Sequence, residues 1–367
     1  MLTVAGAGMA GLAAAARAAE LGVRTVALER APRPGGSLAL SSGVVWRHRT
    51  LDDFRAECPG GDPELQRLVV ERLDEAIAWL RRLGAPVAAK GTGNPLTVGV
   101  RFDPAGLVEA LAARARPQPG RSPAGDELPL LLATGGAGAR LARERGLPLR
   151  AAPWSDGAGI AVGRARGGAL AGDPAEFYGR LLPATAAPIE PRDWARAAQL
   201  YGRHGLAVDA AGRPVLPAPP RWHETDLAQA VAALPGGRAW LVVDGDALGE
   251  AAGGGRTVAD AIAVAAELGA AVRRASTLAA LGLGPLDAER LRTPPFTAVP
   301  VRAAITHTYA GLRVDAAARV LDDRGRPVPG LYAAGADAGG IFTGGYASGL
   351  AAALVLGLAA AESVAAV

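Results

Sequence analysis

Cysteine is almost absent from this chain of 367 residues. The single one, Cys58, excludes an internal disulfide and any zinc or iron–sulfur site that needs several cysteine ligands. This composition fits a reducing compartment, so we expect a cytoplasmic protein.

Lysine is nearly as rare, because Lys90 is the one lysine among the 39 basic residues. The arginines are interleaved with acidic residues, no block of five like charges occurs, and the formal net charge is only +4. A chain without a basic block or stripe gives little support to nucleic acid or an anionic membrane as a partner.

Long apolar runs are missing as well. The apolar amino terminus has no basic segment before it, so a signal peptide is not expected. The tail from Leu350 to Ala361 is apolar for only twelve residues before Glu362. This run is too short to span a bilayer, and it predicts a buried helix.

The chain does have the length and the proportions of hydrophobic and charged residues that are typical of an enzyme. Its length exceeds that at which one hydrophobic core usually stops growing, so we expect two domains or one domain with an insertion. Hydrophobic residues make up 50% and charged residues 20%, which is typical of globular proteins and not of disorder.

The pattern of elements predicts a nucleotide-binding fold with an insertion. A strand, a glycine turn, a helix over about 9–21 and a second strand ending at Glu29 make one βαβ unit. Further predictions are helices over 63–83 and 104–114, a loop over 117–127, and strands over 128–133, 239–244, 312–320 and 328–333. Proline clusters and short helical patches between about 173 and 302 suggest a separate mixed α/β unit.

The glycine turn carries a GxGxxG pattern at Gly6, Gly8 and Gly11. The first glycine allows the turn, the second lets the backbone approach a pyrophosphate, and the third lets the helix pack on the strand. Glu29 ends the second strand, where a carboxylate accepts hydrogen bonds from ribose hydroxyls. Together these residues favour a dinucleotide site over a purely structural βαβ unit.

FAD and NAD share that pattern, so the choice between them rests on other segments. The small residues of 35–37 and 41–43 would let an extended cofactor lie along the backbone, although a surface loop has the same composition. Two later strands also end in glycine-rich loops, at 133–136 and 335–340. One dinucleotide half needs one such loop, whereas a flavin dinucleotide uses several, so FAD is favoured.

Several motifs together resemble the fumarate reductase and succinate dehydrogenase flavoprotein superfamily. They are GAGMAGLAAA with LER, ATGG, WSDGAGI around Asp156, and ITHTYAGLRVD followed by PGLYAAGADAGG. FYGRLLPA at 177–184 and GGYASGL in the tail are most similar to its tricarballylate-dehydrogenase-like branch, with ketosteroid dehydrogenases as more distant relatives. The resemblance covers most of the chain.

The resemblance implies FAD extended across a Rossmann-like domain, with a capping domain closing over the isoalloxazine ring. It also implies hydride transfer between flavin N5 and a carbon next to a carbonyl or carboxylate. We therefore expect an α/β fold with a Rossmann-like FAD-binding domain over 1–163 and 302–367, and an inserted α+β capping domain over 164–301.

The resemblance assigns cofactor contacts by position. The contacts are Gly6, Gly8 and Gly11 for the pyrophosphate, Glu29 for the adenosine ribose, Ser37, Ser42 and Gly43 for the flavin, Asp337 for the ribitol region, and Ser348, Gly349 and Leu350 for the pyrimidine edge. Further positions expected at the cofactor are Arg30, Gly36, Ala133, Thr134, Gly135, Asp156 and Gly335. Backbone N–H groups at a helix start would stabilise the charge of reduced flavin, which independently favours the pyrimidine assignment.

Four residues are candidates for the chemistry. His307 stands where fumarate reductases have the histidine of their HTxGG motif, although Ala310 replaces a glycine of that motif. It could bind a substrate carbonyl, or it could be a packed core histidine. Arg221 falls near the family's proton-donating arginine, His223 is an alternative, and both could instead be surface residues. Tyr346 lies in the loop before the last helix.

Three departures from the family restrict these expectations. No arginine occurs between Gly339 and Glu362, so the clamp for a substrate carboxylate is missing and fumarate is not expected as the substrate. The small antiparallel sheet that follows the helix ending near Arg114 is reduced to a loop, so adenine contacts must be weaker or supplied otherwise. Leu38 stands near the position of the flavin-linking histidine of covalent members, which predicts noncovalent FAD.

The sequence therefore predicts an FAD-dependent oxidoreductase acting on a carbon–carbon bond next to a carbonyl or carboxylate. It would use a small-molecule substrate and an electron-transfer partner, and the direction of reaction stays open. The alternatives are a flavin oxidase or amine dehydrogenase on the same cofactor fold, and an FAD-binding protein without turnover.

Overall fold

The structure is a computed structural model that describes residues 1–124 and 127–367. Its contacts form two compact units. Unit 1 comprises Met1–Leu141, Ala151–Phe177 and His307–Val367, and unit 2 comprises Ala142–Arg150 and Tyr178–Thr306. The domain limits expected from the resemblance stay a prediction, and residues 125 and 126 of the predicted 117–127 loop lie outside the described residues.

Strands alternate with helices along most of the chain. The first elements are β1 (Leu2–Ala5), α1 (Met9–Glu20), β2 (Thr25–Glu29), β3 (Val44–His48), α2 (Leu51–Glu57), α3 (Pro63–Arg82), β4 (Val87–Lys90), β5 (Thr97–Phe102), α4 (Pro104–Ala115), β6 (Gln118–Pro119), β7 (Leu130–Leu132) and α5 (Gly138–Glu144). Next come α6 (Ala158–Ala165), β8 (Leu170–Ala171), β9 (Phe177–Pro183), α7 (Trp194–Ala197), β10 (Leu206–Val208), α8 (Thr225–Ala232), β11 (Arg238–Val243), α9 (Val258–Glu267) and β12 (Arg273–Ala275). The last are β13 (Phe296–Thr308), β14 (Gly311–Leu312), β15 (Arg319–Leu321), β16 (Pro327–Ala333) and α10 (Gly349–Ala365).

The main sheet of unit 1 has six strands in the order β15-β16-β7-β1-β2-β6. All neighbours from β16 to β6 are parallel, and β15 pairs antiparallel with β16. Dinucleotide-binding folds have a parallel sheet in which the first strand lies in the interior of the sheet and helices connect successive strands. The predicted α/β class is confirmed.

Helix α10 is buried, as its composition predicted. Its residues 351–361 are all buried, and α10 packs against α1. Gly357 permits the close approach, because a Cβ there would stand 2.5 Å from the carbonyl oxygen of Ala10. Among the described residues, no helix is both long and apolar enough to cross a membrane.

The loop predicted over 117–127 contains an unexpected strand. Gln118 and Pro119 form β6 beside the end of β2, and the N–H of Arg121 then donates to the carbonyl of Glu29 at 2.8 Å. Pro117 and Pro119 conceal such a strand in the sequence because proline cannot donate to a ladder, yet an edge strand tolerates it. An edge strand therefore stands where only a loop was expected.

A second sheet of unit 1 was not predicted. Its three antiparallel strands have the order β3-β5-β4. Every residue of β4 is exposed, so the strand shows no alternation of apolar and polar residues. Strand β5 has glycine at position 99, because a Cβ there would collide with the backbone of Val45 and Trp46 in β3.

Unit 2 contains both helices and strands. Its sheet has the order β10-β11-β13-β12, and β9 also pairs with β13. Strand β11 confirms the strand predicted over 239–244. Small aliphatic side chains of α8, α9 and the sheet form its core.

Candidate cofactor and active site

The glycine-rich segments of unit 1 converge because the strands before them are parallel neighbours. Strands β16, β7, β1 and β2 lie side by side, so their carboxyl ends meet at one edge of the sheet. The segments that follow them begin at Ala334, Ala133, Gly6 and Arg30. The prediction that the three glycine-rich strand ends share one sheet edge is confirmed.

The carboxylate of Glu29 is fixed against the first glycine loop. One oxygen accepts a hydrogen bond from the N–H of Ala7 at 2.7 Å, and the other accepts from Ala31 at 2.8 Å. Glu29 is only 7% exposed, so these N–H groups replace water as its partners. Each carboxylate oxygen has a second acceptor site, which suits a ribose hydroxyl.

Glycine occupies the three positions of the motif for different physical reasons. A Cβ on Gly6 would stand 2.3 Å from the carbonyl oxygen of Ala133, and one on Gly11 would stand 1.9 Å from that of Gly6. At Gly8 the nearest atom would be the carbonyl oxygen of Gly35, 4.0 Å away. Protein packing therefore requires Gly6 and Gly11 but not Gly8. An open cradle at Gly8 fits a ligand whose pyrophosphate must approach the backbone closely.

A second buried carboxylate, Asp337, holds the loop after β7. It accepts hydrogen bonds from the N–H and hydroxyl of Thr134 and from the N–H of Gly136, the last at 3.0 Å. Burial raises the pKa of Asp337, although these donors act in the opposite direction. Gly135, between the two donors, adopts the left-handed conformation with φ of +97°. The ends of β16 and β7 are thus linked at the region that the resemblance assigns to the ribitol.

Arg30 and Asp156 bind each other at the same edge. A guanidinium nitrogen of Arg30 lies 2.9 Å from a carboxylate oxygen of Asp156, and Arg30 also donates to the carbonyl of Trp154. Burial alone would raise the pKa of Asp156, but the hydrogen bond and charge of Arg30 outweigh it and lower the pKa. The pair connects the end of β2 to the loop before α6.

Gly36 and Ser37 lie beside the first glycine loop. A Cβ on Gly36 would stand 3.5 Å from the Cα of Gly8, so the two loops touch. The hydroxyl of Ser37 accepts a hydrogen bond from the N–H of Ala152 at 3.0 Å. These residues therefore adjoin the segment expected to hold the pyrophosphate.

The turn at 41–43 shows a structural reason for its small residues. Gly43 has a φ of +70°, and a Cβ there would stand 2.1 Å from the carbonyl oxygen of Phe102. Ser42 is exposed, whereas the hydroxyl of Ser41 donates to Leu38 and accepts from Gly43 at 3.1 Å. Ser41, which sequence reasoning did not single out, holds this turn.

His307 lies at the carboxyl end of β13, against the start of α10. Helix α10 begins at Gly349, and the hydroxyl of Ser348 accepts from the N–H of Ala351 at 3.3 Å. A Cβ on Gly349 would stand 3.0 Å from the imidazole Cε1 of His307. The histidine ring therefore leaves little room for a side chain at this position, and the helix start expected at the pyrimidine edge lies beside His307.

Two aromatic rings also lie beside the His307 ring. The ring centroids of Tyr309 and Phe342 each lie 5.8 Å from that of His307. Burial lowers the pKa of His307 to about 4. The imidazole is therefore neutral near pH 7, so it can donate one hydrogen bond without adding a charge. Tyr309 was missed, although it stands two positions after His307, where an extended chain places side chains on one side.

The loop that carries Tyr346 is fixed by contacts that the sequence did not indicate. The hydroxyl of Tyr309 donates to the carbonyl of Gly345 at 2.8 Å, and His48 hydrogen-bonds the carbonyl of Tyr346 at 3.2 Å. The ring of Tyr346 packs on Trp46, with 5.4 Å between centroids. Tyr346 is therefore held in position between the β3 strand and the start of α10.

The other two candidates lie in unit 2 and differ in exposure. Arg221 is exposed, whereas His223 is 1% exposed and its Nδ1 accepts from the N–H of Thr225 at 3.0 Å. The buried Arg180 donates to the carbonyl of His223. Between His223 and Thr225, burial raises the pKa of Glu224 to about 8, although the charge of Arg180 acts in the opposite direction.

A family model described as an FAD binding domain matches residues 2–128 and 115–350, which is most of the chain. The chain belongs to this FAD-binding family. FAD is therefore its cofactor, and Gly8, Glu29 and the neighbouring strand ends fit it as described above.

The chain is also similar to individual proteins of known sequence or structure. Over 86 residues the chain is 40% identical to a 4-oxocyclohex-2-ene-1-carboxylate 5-dehydrogenase of Sinomonas cyclohexanicum, a stretch that is 23% of this chain and 14% of that protein. The structure resembles a 3-ketosteroid-delta4-(5alpha)-dehydrogenase from Rhodococcus jostii with a TM-score of 0.73 and 20% identity, covering 99% of this chain and 96% of that one. It resembles a flavocytochrome c3 fumarate reductase with a TM-score of 0.69 and 18% identity, covering 100% and 78%.

These similarities confirm the predicted superfamily through its fold and cofactor. The finer resemblance to a tricarballylate-dehydrogenase-like branch stays a prediction. The aligned stretch is only 14% of the length of that curated relative.

The glycines of the motif give a paired test. Gly8→Ala should fold like the parent but lose FAD, because its methyl group would occupy the surface that the pyrophosphate must approach. Gly11→Ala should instead destabilise the fold by about 1–3 kcal/mol, because its Cβ overlaps the Gly6 carbonyl. FAD content after gel filtration and urea unfolding of both variants check this. Full FAD retention by Gly8→Ala would contradict the ligand explanation for Gly8.

The pH dependence of unfolding should report the neutral His307. Its pKa is about 4 in the folded chain, against about 6.5 when unfolded. The unfolded chain therefore binds the proton first, so this residue lowers the free energy of unfolding as the pH falls from about 6.5 toward 4. His307→Asn should flatten this slope in denaturant titrations at several pH values. An identical slope in parent and variant would show that the imidazole is not held neutral.

Proposed function

We propose that this flavoprotein oxidises or reduces a carbon–carbon bond next to a carbonyl group of a small molecule. Bound FAD supplies the hydride acceptor or donor for such chemistry. The chain's own residues bind the substrate, polarise its carbonyl and move a proton. Similarity to a cyclohexene-carboxylate dehydrogenase and to a ketosteroid dehydrogenase supports this reaction class.

The position of His307 is the observation that carries the proposal. Its imidazole lies beside Gly349 at the start of α10, where an added Cβ would stand 3.0 Å from Cε1, and this segment is the one expected at the pyrimidine edge of the flavin. A hydrogen-bond donor beside this segment can hold a substrate carbonyl close to the flavin and stabilise enolate character in the transition state.

The charges in this part of unit 1 favour a neutral substrate. His307 is neutral near pH 7, and the sequence has no arginine between Gly339 and Glu362. Losing a charge-assisted hydrogen bond costs on the order of 1.5–3 kcal/mol, roughly ten- to a hundredfold in affinity. Ketones and enones should therefore bind better than small dicarboxylates.

Proton transfer at the neighbouring carbon stays assigned to Arg221 or His223, with Tyr346 as a further candidate. A guanidinium group stays protonated at physiological pH, so an arginine can deliver a proton only through a relay that restores it. Glu224 suits that relay, since its pKa of about 8 lets it hold a proton at neutral pH.

Three further features belong to the proposal. FAD is held noncovalently, because the buried apolar Leu38 stands near the position of the linking histidine of covalent members. Electrons pass to a separate acceptor or come from a separate donor. The single Cys58 supports a cytoplasmic location.

The rival functions are a flavin oxidase or amine dehydrogenase, and an FAD-binding protein without turnover. A screen of cyclic ketones, enones, amines and dicarboxylates with an acceptor dye under anaerobic conditions separates them. Dye reduction by a saturated ketone supports the proposal. Dye reduction by amines alone would overturn it. The proposal would also be overturned if no compound reduced the dye and no enone reoxidised the reduced flavin.

His307→Ala should leave FAD bound but lower turnover by roughly a hundredfold or more, because the substrate carbonyl loses its hydrogen-bond donor. His204→Ala is the matched control, since His204 lies in unit 2, far along the chain from the α10 contact. Turnover and FAD content are measured on the same preparations. Parent-like turnover of His307→Ala would show that the chemistry rests on other residues.

A further inference from the structure

Trp154 presents an exposed indole at the cofactor edge of unit 1. It is 44% exposed and one of few large apolar side chains in the described chain with such exposure. The guanidinium carbon of Arg30 lies 5.4 Å from the indole centroid, and Arg30 donates to the Trp154 carbonyl. Tryptophan combines a large apolar face with a polar N–H, which makes it common at binding sites.

The indole lies close to the residue that marks the adenosine ribose. Arg30 follows Glu29 directly, and Glu29 is oriented by the N–H groups of Ala7 and Ala31. Arg30 also pairs with Asp156, two positions after Trp154, at 2.9 Å. The indole is therefore tied to the end of β2 and not to a distant surface.

The loop that carries Trp154 is also fixed from its other side. The N–H of Ala152 donates to Ser37 at 3.0 Å, and the hydroxyl of Ser155 donates to the carbonyl of Ala152 at 2.9 Å. Trp154 thus stands in a short loop held at both the Glu29–Arg30 and the Gly36–Ser37 segments. Such a loop presents its indole in a defined position.

The small antiparallel sheet that the resemblance implies after α4 is reduced in this chain. The adenine end of FAD therefore needs a contact from another segment. Pro119 lies in β6 and Pro117 directly precedes it, and neither proline has an N–H to offer. The N–H of Gly120 and that of Arg121 already bind the carbonyls of Ala31 and Glu29. The backbone of this strand therefore has few donors left for a base.

We propose that Trp154 forms the adenine-binding surface of this flavoprotein, with Arg30 and Asp156 as positioning residues that orient its indole. Aromatic rings bind bases by stacking, which needs no hydrogen-bond donor and so compensates for the missing N–H groups of Pro117 and Pro119. The remaining exposed indole surface is covered by the adenosine half of FAD when the cofactor is bound.

The rate of FAD release from the holoenzyme tests this proposal. After dilution, ultrafiltration follows the free flavin of the parent, Trp154→Leu and Trp154→Phe. Trp154→Leu should release FAD roughly ten- to a hundredfold faster, the range expected for one lost base–aromatic stack. Trp154→Phe keeps an aromatic face and should stay closer to the parent. Leu170→Ala removes a side chain of similar exposure, 50%, and should release FAD at the parent rate.

The visible spectrum of the bound flavin locates the contact. If Trp154 touches only the adenosine half, the flavin absorption bands of Trp154→Leu should coincide with those of the parent. Equal release rates for Trp154→Leu and the parent would overturn the proposal. A shifted flavin band would also overturn it, because the indole would then lie at the isoalloxazine ring.

Discussion

Two buried carboxylates organise the cofactor edge of this protein. Four parallel strands end side by side in unit 1, and the N–H groups of the loops that follow them need hydrogen-bond partners. Glu29 accepts from the loop after β1, and Asp337 accepts from the loop after β7. Each carboxylate gains N–H partners that offset its burial, so the loops acquire one fixed shape before a ligand arrives.

The hydrogen bonds of Asp337 also constrain the segment that leads to the site around His307. Asp337 fixes the chain just before the loop that leads into α10, and α10 begins where Gly349 meets the imidazole of His307. The imidazole is half-buried beside the aromatic rings of Tyr309 and Phe342, and its burial favours the neutral form. A neutral donor at a helix start suits a substrate carbonyl better than a carboxylate, which needs a cation.

The sequence indicates the parts of this site that local chemistry dictates. GxGxxG, Glu29 and the other glycine-rich strand ends were recognisable because each needs small or acidic residues at fixed places in a βαβ pattern. Contacts between distant segments were not recognisable. Asp337 with Thr134 and Tyr309 with Gly345 each depend on the three-dimensional path of the chain. Strands β4 and β6 escaped prediction because exposure and prolines removed the alternation that identifies strands.

The most direct test of the account compares a neutral enone with a dicarboxylate in a single anaerobic turnover. Holoenzyme reduced with one equivalent of dithionite is mixed with cyclohex-2-enone or with fumarate, and the flavin absorption band is followed. The account predicts that the enone restores the oxidised flavin band with formation of one equivalent of cyclohexanone, while fumarate restores it far more slowly. Faster reoxidation by fumarate would contradict the neutral carbonyl site built around His307.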